Sequence, residues 1–448
     1  MSHEIHFFNS MTSKVEVFNP LVPGKVSIYC CGPTVYNDPH IGNFRPVVVF
    51  DVLRRFLTEE GYEVTFVSNY TDVDDKIIKR AKELGISEKE LTDSVISEYR
   101  RLVTEIGSDQ PNITPRPTEY MNQIIDYISV LVEKGFAYQN GGDVYLRVRK
   151  IPDYGSLSGN SIESLESGAR IAVGEKKEDP LDFALWKETD EGIKWKSPWG
   201  EGRPGWHTEC CVMIDSIFKE QNGYIDIHGG GFDLKFPHHE NEIAQSVGHN
   251  GNKLAHFWMH NGFININNEK MSKSLGNVVL MKDVVEKYGG LSFRLMTLAS
   301  YYRSPVSFSE ETIHEANVKK EQLETTVRKA AIALLRKGVD PYVDAKANEE
   351  FMLALADDLN TPNALMRLYD DQKKVNAVLR KRDATAEELL AVFAPFYKEL
   401  SILGLSFGKV VLSGEDKKLL SKYDEAKANK DFTLSDQIRE ELIQRKLF

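Results

Sequence analysis

Two short runs in this chain combine residue types suited to phosphate chemistry. His40-Ile41-Gly42-Asn43 falls where an apolar strand pattern gives way to a helical one. The free backbone N–H groups and positive dipole end of a helix entry favour phosphate, Gly42 permits close approach, and His40 can donate a hydrogen bond. Lys270-Met271-Ser272-Lys273-Ser274 puts two ammonium groups and two hydroxyls on one Gly-bounded loop. Such groups can neutralise a triphosphate as charge moves in a transition state. Taken singly, the first run reads equally well as a helix cap and the second as a solvated basic turn. Together, about 230 residues apart and each set in an α/β pattern, they are far more specific.

The second chemical signal is thiol. The four cysteines form two adjacent pairs, Cys30-Cys31 and Cys210-Cys211. That is neither a secreted disulfide ladder nor a CxxC ribbon, so reduced thiols or metal thiolates are expected. Cys31, Cys210, His238 and Glu242 form a candidate metal set, in which Pro237 marks a helix start that places His238 and Glu242 four apart on one face. Zinc accepts thiolate, imidazole and carboxylate, and can expand its coordination to take a substrate atom. Adjacent strand residues point to opposite faces, so one member of the pair Cys30 and Cys31 reaches the site, and periodicity does not select it. The plainer reading makes Cys30 core and His239 a helix cap.

These residues need elements to hold them. "KVSIYCCG" is a β-branched and aromatic run that ends on Gly-Pro, followed by helical spacing through Val49, Val52, Leu53, Phe56 and Leu57. "YEVTFVSN" supplies a next strand, and "YIDIHGGG" a later one that stops on three glycines. Alternating strands and helices imply a parallel α/β sheet with its ligands beyond the carboxyl ends of the strands. Residues 111 to 221 differ: "GFAYQNGGDVYLRV" reads as a hairpin with an Asn-Gly-Gly turn, followed by irregular Gly-, Ser- and Pro-rich sequence, and so as an insertion. From Ser309 onward, amphipathic patterns in "ETIHEANVKKEQLETTVRKAAIALLRK" and "FMLALADDLNTPNALMRLYDDQKKVNAVLRK" imply a helical domain.

Composition narrows the classes. With 448 residues, of which 41% are hydrophobic, the chain can bury several cores. No run approaches the roughly 18 apolar residues of a membrane span and no leader pattern opens the chain, so a cytoplasmic protein is expected. A net charge of −11 argues against binding nucleic acid through bulk charge. Basic density is local: Asn317–Lys337 holds six Lys/Arg against two Glu, and Gln372–Arg382 holds five with no acid.

With "HIGN" and "KMSKS" in this order, the chain resembles the class I aminoacyl-tRNA synthetases. "YCCGPTVYNDPHIGN", "SNYTDVDDKIIKRA", "YGSLSG", "DFALWK", "GRPGWHTEC", "DIHGGGFDLKFPHHENEIAQS", "WMHNGFININNEKMSKSLGN" and "DDLNTPNAL" are similar to the blocks of the cysteinyl-tRNA synthetase family, over nearly the whole chain. The resemblance implies a Rossmann-like parallel-sheet catalytic domain split by an insertion and followed by an α-helical C-terminal domain. Its parts would be 1–110 and 222–308 for the catalytic halves, 111–221 for the connective insertion, 309–405 for a tRNA-binding bundle and 406–448 for a short anticodon-side segment. It implies a monomeric cysteine–tRNA ligase that uses ATP with Mg²⁺, L-cysteine and tRNA(Cys).

The same resemblance assigns residues. It selects Cys31 and Cys210, with His238 and Glu242, as ligands of one Zn²⁺. His40, Asn43, Lys270 and Lys273 would be catalytic, and His40, Gly42, Asn43, Asp233 and Lys273 would hold ATP. Thr71 and Trp206 would bind the amino acid, although Thr71 with Asp74 also reads as a capping box and Trp206 as buried aromatic. His228 and Asp233 flank "GGGF" at a strand's carboxyl end, where a carboxylate could take a ribose hydroxyl or the substrate ammonium, and Asp233 is preferred. The family commonly has His where this chain has Asn43, so weaker phosphate contact is expected there, and commonly continues past "SDQIREELIQRKLF". Two rival readings are a mycothiol-type ligase that joins cysteine to an amino sugar, and a non-catalytic zinc-stabilised RNA-binding module.

Overall fold

The computed structural model describes residues 3–168, 177–267, 269–271 and 276–447. A parallel four-stranded sheet forms the frame, in the order Ala255–Asn261, Ile225–Gly231, Lys25–Cys30, Glu63–Ser68. Its central strands are buried along almost their whole length, as expected when both faces of a parallel sheet are covered. Register places Tyr29 opposite His228 and Cys30 opposite Gly229, so the first and third strands in chain order end side by side. The helix Phe44–Glu59 makes the first crossover and buries Val48, Val49, Val52, Leu53, Phe56 and Leu57, the face expected from their spacing. Its Phe50 ring presses on the sheet where a Cβ on Gly229 would lie 2.3 Å from that ring, so only glycine fits there.

The segment between the second and third sheet strands carries its own antiparallel sheet, ordered Ala137–Asn140, Asp143–Leu146, Phe183–Glu188, Gly200–Pro204, Trp195–Ser197. Asn140 pairs with Asp143 across Gly141-Gly142, the hairpin turn read from the sequence. The three later strands lie where irregular chain is expected from sequence. They are only 6, 3 and 5 residues long, too short for alternation to register against the Gly and Pro around them. A third sheet pairs Ile264–Ile266 with Val306–Phe308 in parallel and with Glu269–Lys270 antiparallel.

The chain forms two compact units, Met1–Lys287 with Tyr302–Phe308, and Tyr288–Tyr301 with Ser309–Phe448. The second unit is helical, with Gly290–Leu298, Glu310–Arg336, Glu349–Ala356, Thr361–Arg380, Ala386–Ile402, Gly414–Ala428 and Phe432–Gln444. The single amphipathic pattern expected over "FMLALADDLNTPNALMRLYDDQ" is two helices. Asp358 and Leu359 take positive φ of 55° and 50°, and Asn360 then caps the next helix by accepting from the Asn363 N–H. Asn360 together with Pro362 at the helix start outweighs the continuous apolar face. Among the described residues no helix is long and apolar enough to cross a membrane.

A carboxyl pair lies within this helical unit. Glu399, fully buried, accepts from the backbone and side-chain N–H groups of Asn348 at 3.2 and 3.0 Å. The same amide also donates to Asp371, whose other oxygen accepts from Lys374 at 2.6 Å. Burial, and then the neighbouring Asp371, push Glu399 up to about 8. A carboxyl raised by folding contributes stability that is full below its unfolded value and is lost as pH rises through its folded value. The unit is therefore expected to weaken from about pH 5 to beyond about pH 8, and Glu399→Gln to flatten that slope in urea unfolding followed by circular dichroism.

Candidate functional site

Every loop at the carboxyl ends of the four parallel strands contributes to one site. The first strand ends at Cys30, and Cys31 lies just beyond it, its N–H donating to the Gly229 carbonyl at 3.0 Å. Its sulfur turns towards the helix Trp206–Ile217 and comes within 3.8 Å of the Cys210 Sγ. Cys30 joins neither this contact nor the donor cluster around Glu242: its Sγ lies 3.8 Å from the Cys31 carbonyl, and the residue lines a second cleft with Phe66, Tyr70 and Val103. The Cys211 thiol is spent on its own helix, 3.3 Å from the Thr208 carbonyl. Of the four cysteines, Cys31 and Cys210 converge.

Glu242 and His238 complete the cluster from the helix Glu240–Asn250 and the turn before it. His238 Nε2 lies 2.7 Å from Glu242 Oε1, the i,i+4 contact expected from their spacing. Donor atoms of Cys31, Cys210, His238 and Glu242 all lie within 4.8 Å of one another. A second group, Cys31, His228, His239 and Glu242, meets the same limit. The imidazoles of both groups already have partners at both nitrogens, and His238 Nδ1 lies 3.0 Å from His207 Nδ1. His228 has both nitrogens on acceptors, Nδ1 3.1 Å from the Tyr29 carbonyl and Nε2 2.5 Å from Glu242 Oε2. His239 does not cap the helix with its side chain, as the plainer reading had it. Its Nε2 faces Cys31 Sγ at 3.4 Å, and its Nδ1 meets His260 Nε2 at 2.8 Å, which in turn reaches Ser10 Oγ.

Charge in this buried place is set by the neighbours within the cluster. A hydrogen bond from the Cys31 thiol, helped by His238, outweighs burial and brings Cys210 down to about 6. Burial pushes Cys31 up. Burial opposes charge on His238, but Glu242 and Cys210 hold it at about 10. The donor set thus carries an anionic thiol and carboxylate in contact with imidazole, the chemistry that suits zinc.

A cavity of about 450 Å³ opens over this cluster. Cys31, Trp206 and Asp233 line it, and so do His40, Asn43 and Met271. Trp206, 40% exposed at the first turn of its helix, stacks on the His238 ring with centroids 4.3 Å apart. Asp233 stands in the turn after the third strand, and its carboxylate occupies the space a Cβ on Gly231 would take, 2.5 Å away.

His40 and Asn43 close a reciprocal cap before the first crossover helix: the His40 N–H donates to Asn43 Oδ1 at 3.0 Å and the Asn43 N–H to the His40 carbonyl at 2.9 Å. Capping and ligand-binding readings therefore coexist in one turn. Gly42 faces the second motif closely, since a Cβ there would lie 3.0 Å from Met271 Cε. Lys270 stands in the strand Glu269–Lys270 opposite Asn265, while Lys273 lies outside the described residues.

Thr71 is placed differently from the expectation. It is buried under Pro33 and Val35, to which its backbone is hydrogen-bonded, and does not line the cavity. Its hydroxyl accepts from Asn69 Nδ2 at 3.1 Å and bonds the buried Glu209 carboxyl. Nor does it cap the helix Asp75–Leu84; Asp74 does, accepting from the Lys76 N–H at 2.7 Å. His239, His260, His207 and Asn69 were not picked out as site residues from sequence. They converge on it only through contacts between distant segments, and "FPHHE" is the one local signal.

Comparison with known proteins agrees with this architecture. Residues 17–318 match the family model described as tRNA synthetases class I (C) catalytic domain, and residues 350–408 match the DALR domain. A cysteine–tRNA ligase of Shouchella clausii is 46% identical over 99% of this chain and 97% of its own length. One of Halalkalibacterium halodurans is 46% identical over 98% and 95%. Among solved structures, methionyl-tRNA synthetase of Mycobacterium tuberculosis in complex with methionyl-adenylate superposes with a TM-score of 0.59 over 85% of this chain and 90% of that one, at 14% identity, a likeness of fold.

Proposed function

The chain belongs to the cysteinyl-tRNA synthetase family of class I enzymes, and from that membership we infer that it activates L-cysteine with ATP and transfers it to the 3′ end of tRNA(Cys). In the first step a carboxylate oxygen of cysteine attacks the α-phosphorus of ATP, forming cysteinyl adenylate as the bond to diphosphate breaks. In the second, a hydroxyl of the terminal ribose attacks the adenylate carbonyl and AMP leaves.

The observation that carries this reading is that two thiols, an imidazole and a carboxylate lie within 4.8 Å of one another beside a cavity that Cys31 lines together with His40, Asn43 and Met271. Cys31, Cys210, His238 and Glu242 would hold zinc. Of the two candidate groups this one is favoured, because it offers both thiols and leaves His228 and His239 to orient Glu242 and Cys31 from behind, as supporting imidazoles do around metal ligands. Bound there, zinc supplies a site for the substrate's sulfur as thiolate. Trp206, fixed against His238, walls the cysteine side chain. Asp233 is placed to take the substrate ammonium or a ribose hydroxyl. In the same cavity, the amide of Asn43 and the imidazole of His40 would contact the triphosphate, with Mg²⁺ carried by the nucleotide. Lys270 and Lys273 stabilise charge on the α-phosphate and on the departing diphosphate. No side-chain nucleophile is needed, and catalysis is positioning plus electrostatics.

The family reading divides the chain as the sequence suggests, with the halves of the catalytic domain around an insertion and the basic faces of Glu310–Arg336 and Thr361–Arg380 offered to tRNA. It also has the protein act as a monomer in the cytoplasm. Cysteine-dependent ATP–diphosphate exchange followed by charging of tRNA tests it. Exchange without charging would favour the amino-sugar ligase, and neither activity would favour the RNA-binding module.

A further inference from the structure

Arg45 is two residues past Asn43, in the first turn of the crossover helix, and is only 1% exposed. Its guanidinium reaches away from the sheet to three backbone carbonyls. Nη1 donates to Phe263 at 2.5 Å, and Nη2 donates to Tyr302 at 3.1 Å and to Ser304. Burial draws it down to about 10, which leaves it charged at neutral pH. The three carbonyls belong to the segments that lead into the two strands of the small third sheet: Phe263 directly precedes Ile264–Ile266, and Tyr302 and Ser304 precede Val306–Phe308. The Phe263 carbonyl also accepts from the Val306 N–H at 2.9 Å, and the Tyr302 carbonyl from the Gly262 N–H at 2.9 Å. Gly262 lies so close to this crossing that a Cβ on it would stand 2.6 Å from the Ser304 carbonyl. From Ile264–Ile266 the chain turns directly into Glu269–Lys270, so this sheet is the base from which the second lysine motif departs.

We propose that Arg45 is a positioning residue which ties the first phosphate motif to the base of the second, so that the strand carrying Lys270 is held in register with the nucleotide-binding turn His40–Asn43. The physical reason is geometric. A planar guanidinium can hold carbonyls from two chain segments at once, whereas an ammonium has no fixed fork. Phe263 and Ile264 line the cavity beside His40 and Asn43, so a shift of this sheet moves the cavity wall and the lysine strand together. The proposal rests on the reading of Lys270 as acting on the nucleotide.

The test uses the full chain with Arg45→Met, Arg45→Lys and each of these combined with Lys270→Ala, in ATP–diphosphate exchange with kcat and both KM values separated. A displacement of about 1 Å at a reacting centre lowers rate by about 100-fold. Arg45→Met is therefore expected to lower kcat by about that factor and to leave the KM for cysteine within about twofold. Arg45→Lys should recover about tenfold of the loss, since one ammonium reaches fewer carbonyls. In the Lys270→Ala background the Arg45→Met loss should shrink to less than about threefold, because residues that act through one element are not additive. Losses that multiply fully in the double variant, or a rise in both KM values with kcat kept, would overturn the positioning role. If Arg45→Met does not fold, the Arg45→Lys pair decides on the same criterion. Absence of cysteine-dependent exchange in the unsubstituted chain overturns the functional reading itself, and is distinct from full exchange with additive losses.

Discussion

Lys273→Ala is expected to lower kcat for cysteine-dependent exchange by about 100- to 1,000-fold, while the KM for ATP changes by less than about threefold. On the proposed reading the ground-state nucleotide has other holders in the turn of His40 and Asn43, whose backbone is fixed by their reciprocal cap. What that turn lacks is a positive side chain: Asn43 is an amide and cannot carry charge. As the bond to diphosphate breaks, negative charge grows on the leaving group, and an ammonium that meets it only then lowers the barrier without tightening ATP. Met271, two residues earlier, already reaches the Gly42 backbone, so the motif starts at the cavity's edge. Stopped-flow or exchange kinetics with kcat and KM resolved would check this. A rise in KM alone would mean that Lys273 binds ATP uniformly, and would remove its transition-state role.

What could be read from sequence here was local. The strand, turn and helix around His40–Asn43 follow from a β-branched run, a Gly-Pro stop and 3.6-residue spacing within one stretch of about 35 residues. His238 and Glu242 were legible as a pair because helical spacing alone brings them together. The choice between Cys30 and Cys31 was not legible from spacing. It depends on where the strand stops, which parallel pairing with Glu63–Ser68 and Ile225–Gly231 sets, and Cys31 escapes the alternation by lying one residue past that stop. The family blocks named Cys31; the backbone supplies the reason.

The imidazole cluster beside the thiols was legible only as the run "FPHHE", not as a set of contacts. His239, His260 and Ser10 meet only after the third and fourth sheet strands lie side by side and the N-terminal segment crosses them. No periodicity links residues about 20 and 250 positions apart. Arg45 was invisible for the same reason. In sequence it is one more basic residue at a helix start, and its three carbonyl partners are more than 200 residues away. Thr71 shows how little a block says of a side chain's contacts. Its block has a family pocket nearby, yet the side chain supports the floor from beneath, through Asn69 and Glu209, and does not line the cavity.

The thiols lead to the second large effect. Cys31→Ser is expected to remove bound zinc and at least about 1,000-fold of exchange activity, because a hydroxyl is a far poorer ligand than a thiolate and the remaining donors stay buried beside it. Cys30→Ser, at a residue that lines the second cleft with Phe66 and Tyr70, should keep both metal and activity. Metal content by atomic emission separates the two variants without any assay of turnover, and equal loss in both would reject Cys31 as the ligand. The same chemistry sets fidelity. Serine differs from cysteine by oxygen for sulfur, and an apolar pocket would reject so close an isostere by only about 100-fold. Walls such as Trp206 therefore cannot supply the selectivity that coding needs. A metal that binds the substrate sulfur as thiolate can, because serine leaves that partner unsatisfied, and rejection by about 10⁴ or more becomes available from binding alone. The unsubstituted chain should show negligible serine-dependent exchange and should not hydrolyse seryl-tRNA prepared with another enzyme. Rapid clearance of seryl-tRNA would place discrimination in an editing step and would separate the role of Cys31 and Cys210 from specificity.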